Sequence, residues 1–512
     1  MLYFQSMKRI PVKNLAIAMR VTMVVMVAIL TVFIYYHSKG YRINIHSQEI
    51  TKTGILNVKA DPFWSDIYVD GENIGKSPKS KTLSIGTHNV EIKKDGYSTW
   101  AKEVEIFDER STIITPWLLL KEPEKTTAWE SKGIFQKLWV DTSSQTALVL
   151  IKDSNTTYSL WAYRTTVPFL SFSDNKVKLL TTESEITDVK LSPDGGRALI
   201  TIKDSLGVQT SYIADTMSQL NTASAQQIDL TKYSGYTISW AENSDYIIFD
   251  SSIDIISYDI SLKTSVILEK KSNGDKYIWT TDTNGYFYLV HHNENDNSNV
   301  NEYSIRQMKL DGTNVSETLS EIYFQKDTSY IDYYRTNDYT CIPCTNSPEN
   351  TKTVGEITKI LVSPKAMGIY IQTTEASYWY NTSTKRYFLV SPYPSEFVEY
   401  SHDYDKFIYK NEYGFFTFTL VKDELDPTEQ LGSKSIKNAD NAQNIHWING
   451  SASVIYSENN SIYISDTDGA NKTQVVSSNT FKGYLLGSVK EELFMLETDA
   501  EEMLSVNKYT IN

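Results

Sequence analysis

The sequence predicts a mostly β protein in three parts: an N-terminal transmembrane helix, a small antiparallel β-sandwich, and a β-propeller of eight blades with seven as the alternative. Three observations predict it. A single apolar run lies near the N-terminus, short alternating segments broken by Asp-Gly turns follow it, and a weak repeat fills the remaining three quarters of the chain. Its spacing is close to the roughly 40–45 residues of a four-stranded blade.

At 512 residues the chain is too long for one ordinary domain. With 40% hydrophobic and 22% charged residues it is a chain that folds. Two cysteines exclude a disulfide-built scaffold and a cysteine-rich metal protein. The net charge of −14 argues against nucleic acid as a partner, because phosphate binding needs a basic surface.

Residues 1–7 end in Leu-Tyr-Phe-Gln-Ser-Met and read as the scar of an engineered protease site. Residues 8–14 form a basic, cytoplasmic segment. From Leu15 to Tyr36 the run LAIAMRVTMVVMVAILTVFIYY is long enough to cross a hydrocarbon core of about 30 Å. Lys8, Arg9, Lys13 and Arg20 flank its N-terminal end with no acid among them, so the N-terminus is expected to stay in the cytoplasm. Tyr35 and Tyr36 fall where an interfacial aromatic belt would lie. No small-x-small cleavage site follows the run, which favours an uncleaved signal anchor in the cell membrane over a signal peptide. Residues 37–53 are expected to be linker. Everything beyond is then extracytoplasmic: without the four N-terminal bases, 45 basic face 63 acidic residues, a charge of −18.

Between Gly54 and Leu120 the runs GILNVKA, DIYVDG, THNVEIKKDG and AKEVEIFDE place apolar residues at every second position. Asp70-Gly71 and Asp95-Gly96 are turn dipeptides. The string Ile67-Tyr68-Val69-Asp70-Gly71, Ile74-Gly75, Ser77-Pro78, then Gly86-Thr87-His88, Val90 and Lys94-Asp95-Gly96-Tyr97, resembles the PEGA domain. The usual Pro-Glu-Gly-Ala tetrapeptide is replaced, since Phe63, Trp64 and Ser65 follow Pro62. The resemblance implies a spacer or binding module of surface proteins, with His88 a strand residue and not a ligand.

From 121 to 512 eight segments share one shape, an apolar residue entering a polar turn that a strand leaves. They start at 139, 191, 240, 279, 362, 400, 447 and 486. The strings LSPDG at 191–195, KLDGTN at 309–314 and DTDGAN at 466–471 resemble TolB-like propeller repeats, which implies radially stacked blades. The last unit is one strand short. A strand from about 113–137 is expected to complete it and close the ring. The 83-residue gap after 279 implies an insertion at about 321–357. It holds Tyr330, Tyr333, Tyr334 and Tyr339, a candidate contact loop, and Cys341 and Cys344, whose simplest reading on an exported face is a disulfide staple.

The motifs that suggest chemistry have plainer readings. Cys341-Ile342-Pro343-Cys344 lacks the helix that lowers a thiol pKa and the further ligands that zinc requires. His291-His292 with Glu294 reads as a strand end. Ser401-His402-Asp403 occupies the Ser-Pro-Asp-Gly slot of its repeat, and adjacent residues cannot form a triad. Asp466 to Asn471 lacks the closing Glu of a calcium loop. No cofactor and no catalytic set is therefore expected. The functional expectation is an anchored scaffold that displays its propeller to an envelope protein, a wall glycan or a neighbouring cell. The alternative is an exported hydrolase or lyase with its active site in the propeller channel.

Overall fold

The structure is a computed structural model that describes residues 12–38, 41–44, 49–108, 110–141, 145–166, 175–217, 226–228, 230–233, 235–293, 300–313, 320–325, 356–365, 368–384, 386–421 and 432–512. The described residues form one long α-helix, one short 3-10 turn and otherwise strands. The chain divides into two compact units at Leu118/Leu119.

The first unit opens with α1, Val12–Ser38. Its Met19–Tyr36 stretch is long and apolar enough to cross a membrane, and every side chain in that stretch is exposed. Without a polar face to turn to water, and with none of the described residues burying Met19–Tyr36, the helix is consistent with a single-pass anchor or a signal.

Two four-stranded sheets follow. β1 (Tyr41–Asn44), β2 (Glu49–Val58), β5 (Lys79–Ser84) and β8 (Ser111–Ile114) make one; β3 (Asp66–Val69), β4 (Glu72–Lys76), β6 (Gly86–Lys93) and β7 (Trp100–Ile106) make the other. Their inner faces share one core of Leu56, Val58, Ile67, Val69, Val90, Ile92, Val104 and Ile106. Two expectations are corrected. The span 37–53 is not all linker, because Tyr41–Asn44 pairs antiparallel with Glu49–Lys52. The alternation in Tyr-Arg-Ile-Asn was a strand signal too short to stand out beside the helix. Nor is the domain wholly antiparallel: β8 pairs parallel to β2, since the chain crosses from one sheet to the other before returning.

The second unit carries six four-stranded antiparallel meanders among the described residues, and one seven-stranded sheet. All eight segments picked out by the repeat lie between the first two strands of a meander. The long strand β9, Glu124–Asp141, is the hinge of the seven-stranded sheet. Its first half pairs with the last strand, Met503–Thr510; its second half pairs with Thr146–Lys152. One strand thus completes the last meander and begins the first.

The cores show how the sheets stack. The second strand of each meander is a nearly continuous apolar run, and successive residues leave in opposite directions. Ile247 and Phe249 pack on the preceding sheet through Leu199 and Ile213, whereas Ile248 packs on the following one through Phe287 and Leu289. Tyr288 and Val290 then pack against Ile369 and Ile371, and Tyr370 against Phe407 and Tyr409. Both faces of each sheet are buried by its two neighbours. The run returns on itself within the seven-stranded sheet, where Leu485, Phe494 and Leu496 of the last meander meet Ala147, Val149 and Tyr163 of the first. This is the packing of a β-propeller.

The stretch expected as an insertion from about 321 begins with a ladder strand, Ser320–Gln325, which completes its meander. Thr-Leu-Ser-Glu-Ile-Tyr-Phe-Gln has the pattern of a fourth strand, but the following tyrosines pulled the expected boundary forward.

Candidate functional site

The turns between first and second strands are built by short side chains that bond back to the backbone. Ser192 Oγ donates to Asp194 Oδ1 at 2.6 Å and accepts from the Arg197 amide at 2.9 Å. Ser401 repeats this with Asp403 and the Lys406 amide. Asp282 Oδ1 accepts from the Asn284 and Tyr286 amides at 3.0 and 2.8 Å. Burial pushes the carboxyls of Asp194 and Asp403 up, but these hydroxyl and amide donors outweigh it and hold both below the usual carboxylate range.

Neighbouring turns are also fastened to one another. The Asp194 amide donates to Ser244 Oγ at 3.1 Å, and the Glu242 amide to Thr281 Oγ1 at 2.9 Å. Ser451 Oγ donates to Asp403 Oδ2 at 3.0 Å, and Lys490 to Asn449 Oδ1 at 3.3 Å. Thr165 Oγ1 closes back on the Leu486 carbonyl at 2.6 Å. These turns form a belt on one end of the propeller, and Asp194, Asp282 and Asp403 serve in it as fastenings.

Glu242 stands apart. It follows the first strand of its meander, its side chain reaches solvent, and protein still surrounds it on most sides. Burial raises its carboxyl above the usual value and the Asp141 charge adds to that, while Lys359 opposes it. Asp141 ends β9, and Lys359 lies on the first strand Ile357–Val362. Glu242 therefore feels one charge of each sign, Asp141 and Lys359, from the first strands of two other, non-neighbouring sheets. A raised carboxyl of this kind can hold a proton or accept a cation.

The sequence-predicted residues fall as follows. Tyr330, Tyr333, Tyr334, Tyr339, Cys341 and Cys344 lie outside the described residues, as do Lys8, Arg9 and Glu294. Lys13 and Arg20 lie in α1, and the Tyr35 and Tyr36 rings meet edge to face at its far end, 5.6 Å apart. Ser401 and Asp403 are fastened as described above. His291 Nε2 lies 2.8 Å from Asp275 Oδ2 and its ring stacks on Tyr277. Asp466 accepts from the Asn471 side chain at 2.9 Å, and Asp468 from the Ala470 amide at 3.0 Å, as a strand-joining turn requires. His88 bridges Asp70 Oδ2 and the Ser84 carbonyl at 2.7 and 2.8 Å. Among the described residues no group of three or more His, Cys, Asp or Glu side chains is placed to hold a metal ion.

Sequence reasoning missed one surface. Phe63 and Trp64 stand 62% and 69% exposed on the loop before β3. The signal was present, because these residues replace the Glu and Gly of the family tetrapeptide.

Residues 53–117 match the PEGA domain. No curated protein matches the chain. Among solved structures, it is similar to an oligogalacturonate lyase from Vibrio parahaemolyticus at 8% identity, covering 76% of this chain and 98% of that one with a TM-score of 0.39. A eukaryotic initiation factor is similar at 9% identity, with 82% and 91% covered and a TM-score of 0.41. The WD40 domain of SCAP from fission yeast is similar at 10% identity, with 76% and 98% covered and a TM-score of 0.37.

Proposed function

We propose that the protein is a membrane-anchored scaffold that holds a binding propeller at the outer face of the cell membrane. α1 crosses the bilayer with Lys8, Arg9, Lys13 and Arg20 on the cytoplasmic side. The PEGA domain spaces the propeller from the membrane. The propeller is TolB-like and eight-bladed, with its last blade completed by β9. The loop carrying Tyr330, Tyr333, Tyr334 and Tyr339, stapled by a Cys341–Cys344 disulfide, makes contacts with an envelope protein, a wall glycan or a neighbouring cell surface. The observation that carries this reading is the pairing of an apolar helix, exposed throughout Met19–Tyr36, with a turn-fastened propeller in a single chain. A closed ring buries its strand edges and leaves its faces and loops free for contact.

Protease added to intact cells should remove the PEGA domain and the propeller and leave a small fragment containing α1. An intact full-length chain under those conditions overturns the topology. Loss of partner capture on Tyr333→Ala and Tyr334→Ala, with the melting temperature unchanged, is the expected result for the contact loop. Turnover of a glycan or peptide library that Glu242→Gln abolishes would favour the hydrolase or lyase in the channel.

A further inference from the structure

We propose that Phe63 and Trp64 form a second membrane contact, seated in the phospholipid headgroup layer of the bilayer that α1 crosses. The proposal rests on the anchored topology above and adds a site to it. Trp64 has φ of 65°, in the left-handed region that a side chain makes costly, and it stands where the family tetrapeptide has Gly. The backbone here adopts a conformation that favours glycine while it carries the largest side chain. Nothing in the domain core is filled by that exchange, because the indole is mostly exposed. Strain kept for an exposed side chain points to something outside the domain.

The tip is built to be rigid. The Trp64 amide donates to the Ser77 carbonyl at 2.9 Å, and the Ser77 amide donates to the Ser65 carbonyl at 2.9 Å. Ser65 and Ser77 are both fully buried. At its base the Asp61 amide donates to the Pro116 carbonyl, and the Asp61 carbonyl accepts from the Leu118 amide, each at 2.8 Å. A preorganised aromatic pair loses little entropy on contact.

Direction and charge select the occupant. β1 leaves α1, and β2 runs back antiparallel to it, with Lys52 opposite Tyr41. β2 then continues through Val58, roughly 20 Å further at about 3.3 Å per residue. The tip that follows therefore lies toward the end of β1 at which the chain arrives from α1, the side that a bilayer crossed by α1 would occupy. Lys94 donates to the Phe63 carbonyl at 2.8 Å, and Lys76 lies beside the tip, 3.2 Å from Asp66. Exposed aromatic rings with the Lys94 ammonium beside them match the polar–apolar boundary of a bilayer, while the Lys76 charge is matched by Asp66.

The test uses the full chain labelled with fluorotryptophan in nanodiscs of phosphatidylcholine mixed with phosphatidylglycerol. The resonance missing in Trp64→Gly belongs to Trp64. A spin label on the lipid headgroup should broaden that line severalfold, and a water-soluble relaxation agent should leave it sharp. Trp64→Gly should melt no lower than the parent, since it relieves the backbone. A Trp64 line that the lipid label leaves sharp and the soluble agent broadens overturns the proposal. So does a line that shifts only when a soluble anionic oligosaccharide is added, or a Trp64→Gly variant that unfolds the domain, which would make Trp64 structural. Co-elution of chain and discs is read separately: without it the anchor fails, and this contact fails with it.

Discussion

Lys125 Nζ donates to Glu497 Oε1 at 2.6 Å, joining residues 372 positions apart at the seam where β9 completes the last meander. Asn507 donates to the same oxygen at 2.6 Å. Burial works against both charges. For Lys125, Glu497 and Tyr509 outweigh it and raise the ammonium pKa; for Glu497, Lys125, Ser478 and Asn507 outweigh it and lower the carboxyl pKa.

The seam should therefore fail at both ends of the pH scale. A lowered carboxyl contributes stability above its unfolded value of 4.5, and this is lost as pH falls through the folded value. A raised ammonium contributes fully below its unfolded value of 10.5, and this is lost as pH rises through the folded value. Glu497→Ala should cost about 2 kcal/mol at neutral pH, since it removes the acceptor that Lys125 and Asn507 share. Lys125→Ala should cost under about 1 kcal/mol, because half of that side chain is in water. Chemical denaturation at neutral pH checks both, and equal costs would contradict the unequal burial of the pair.

Ser401 tests whether Ser401-His402-Asp403 is a fastening or a catalytic set. Its hydroxyl is buried and bonded to Asp403 and the Lys406 amide, as Ser192 is bonded to Asp194 and the Arg197 amide. Ser401→Ala and Ser192→Ala should each destabilise the propeller by about 1–3 kcal/mol. A fluorophosphonate probe should not label Ser401. Labelling, or a stability cost at Ser192 alone, would count against the shared role.

These residues also show what the sequence could carry. The first turns were legible because Ser, Asp and Gly are chosen there by local backbone bonding, which needs no distant partner. The closing strand was legible because the last unit lacked its fourth strand. The parallel entry of β8 was not legible, since pairing partners across a sandwich leave no local trace. Glu242 was hidden for the same reason: the charges of Asp141 and Lys359 act on it only through the folded chain, across 101 and 117 positions of sequence. The Phe63-Trp64 tip was visible as a departure from a family motif, but its meaning needed the φ angle and the exposure.

The small domain has a pH handle of its own. The His88 hydrogen bond is the leading cause that lowers the Asp70 carboxyl, followed by the Asn89 amide, with burial opposing. Asp70 holds φ of 51° at the turn between β3 and β4. His88→Ala should move the Asp70 titration upward toward 3.8, followed by carboxyl NMR, and should lower the domain's stability at neutral pH while leaving less of it to be lost as pH falls below 3.8. An unmoved Asp70 would mean that the Asn89 amide alone sets its charge.

Glu242 makes the opposite prediction. Its carboxyl is raised first by burial and then by Asp141, so the folded state favours the protonated form. Such a group lowers stability as pH rises from its unfolded value of 4.5 through the folded one, and the penalty then persists at neutral pH. Glu242→Gln removes the charge and keeps the shape. It should raise the melting temperature at neutral pH and lose that advantage below about pH 4, with a gain held within about 1 kcal/mol by solvent access. Asp141→Asn should bring the Glu242 titration down, and Lys359→Ala should push it further up. A Glu242→Gln variant that is less stable at neutral pH would show that the carboxylate is held by a cation.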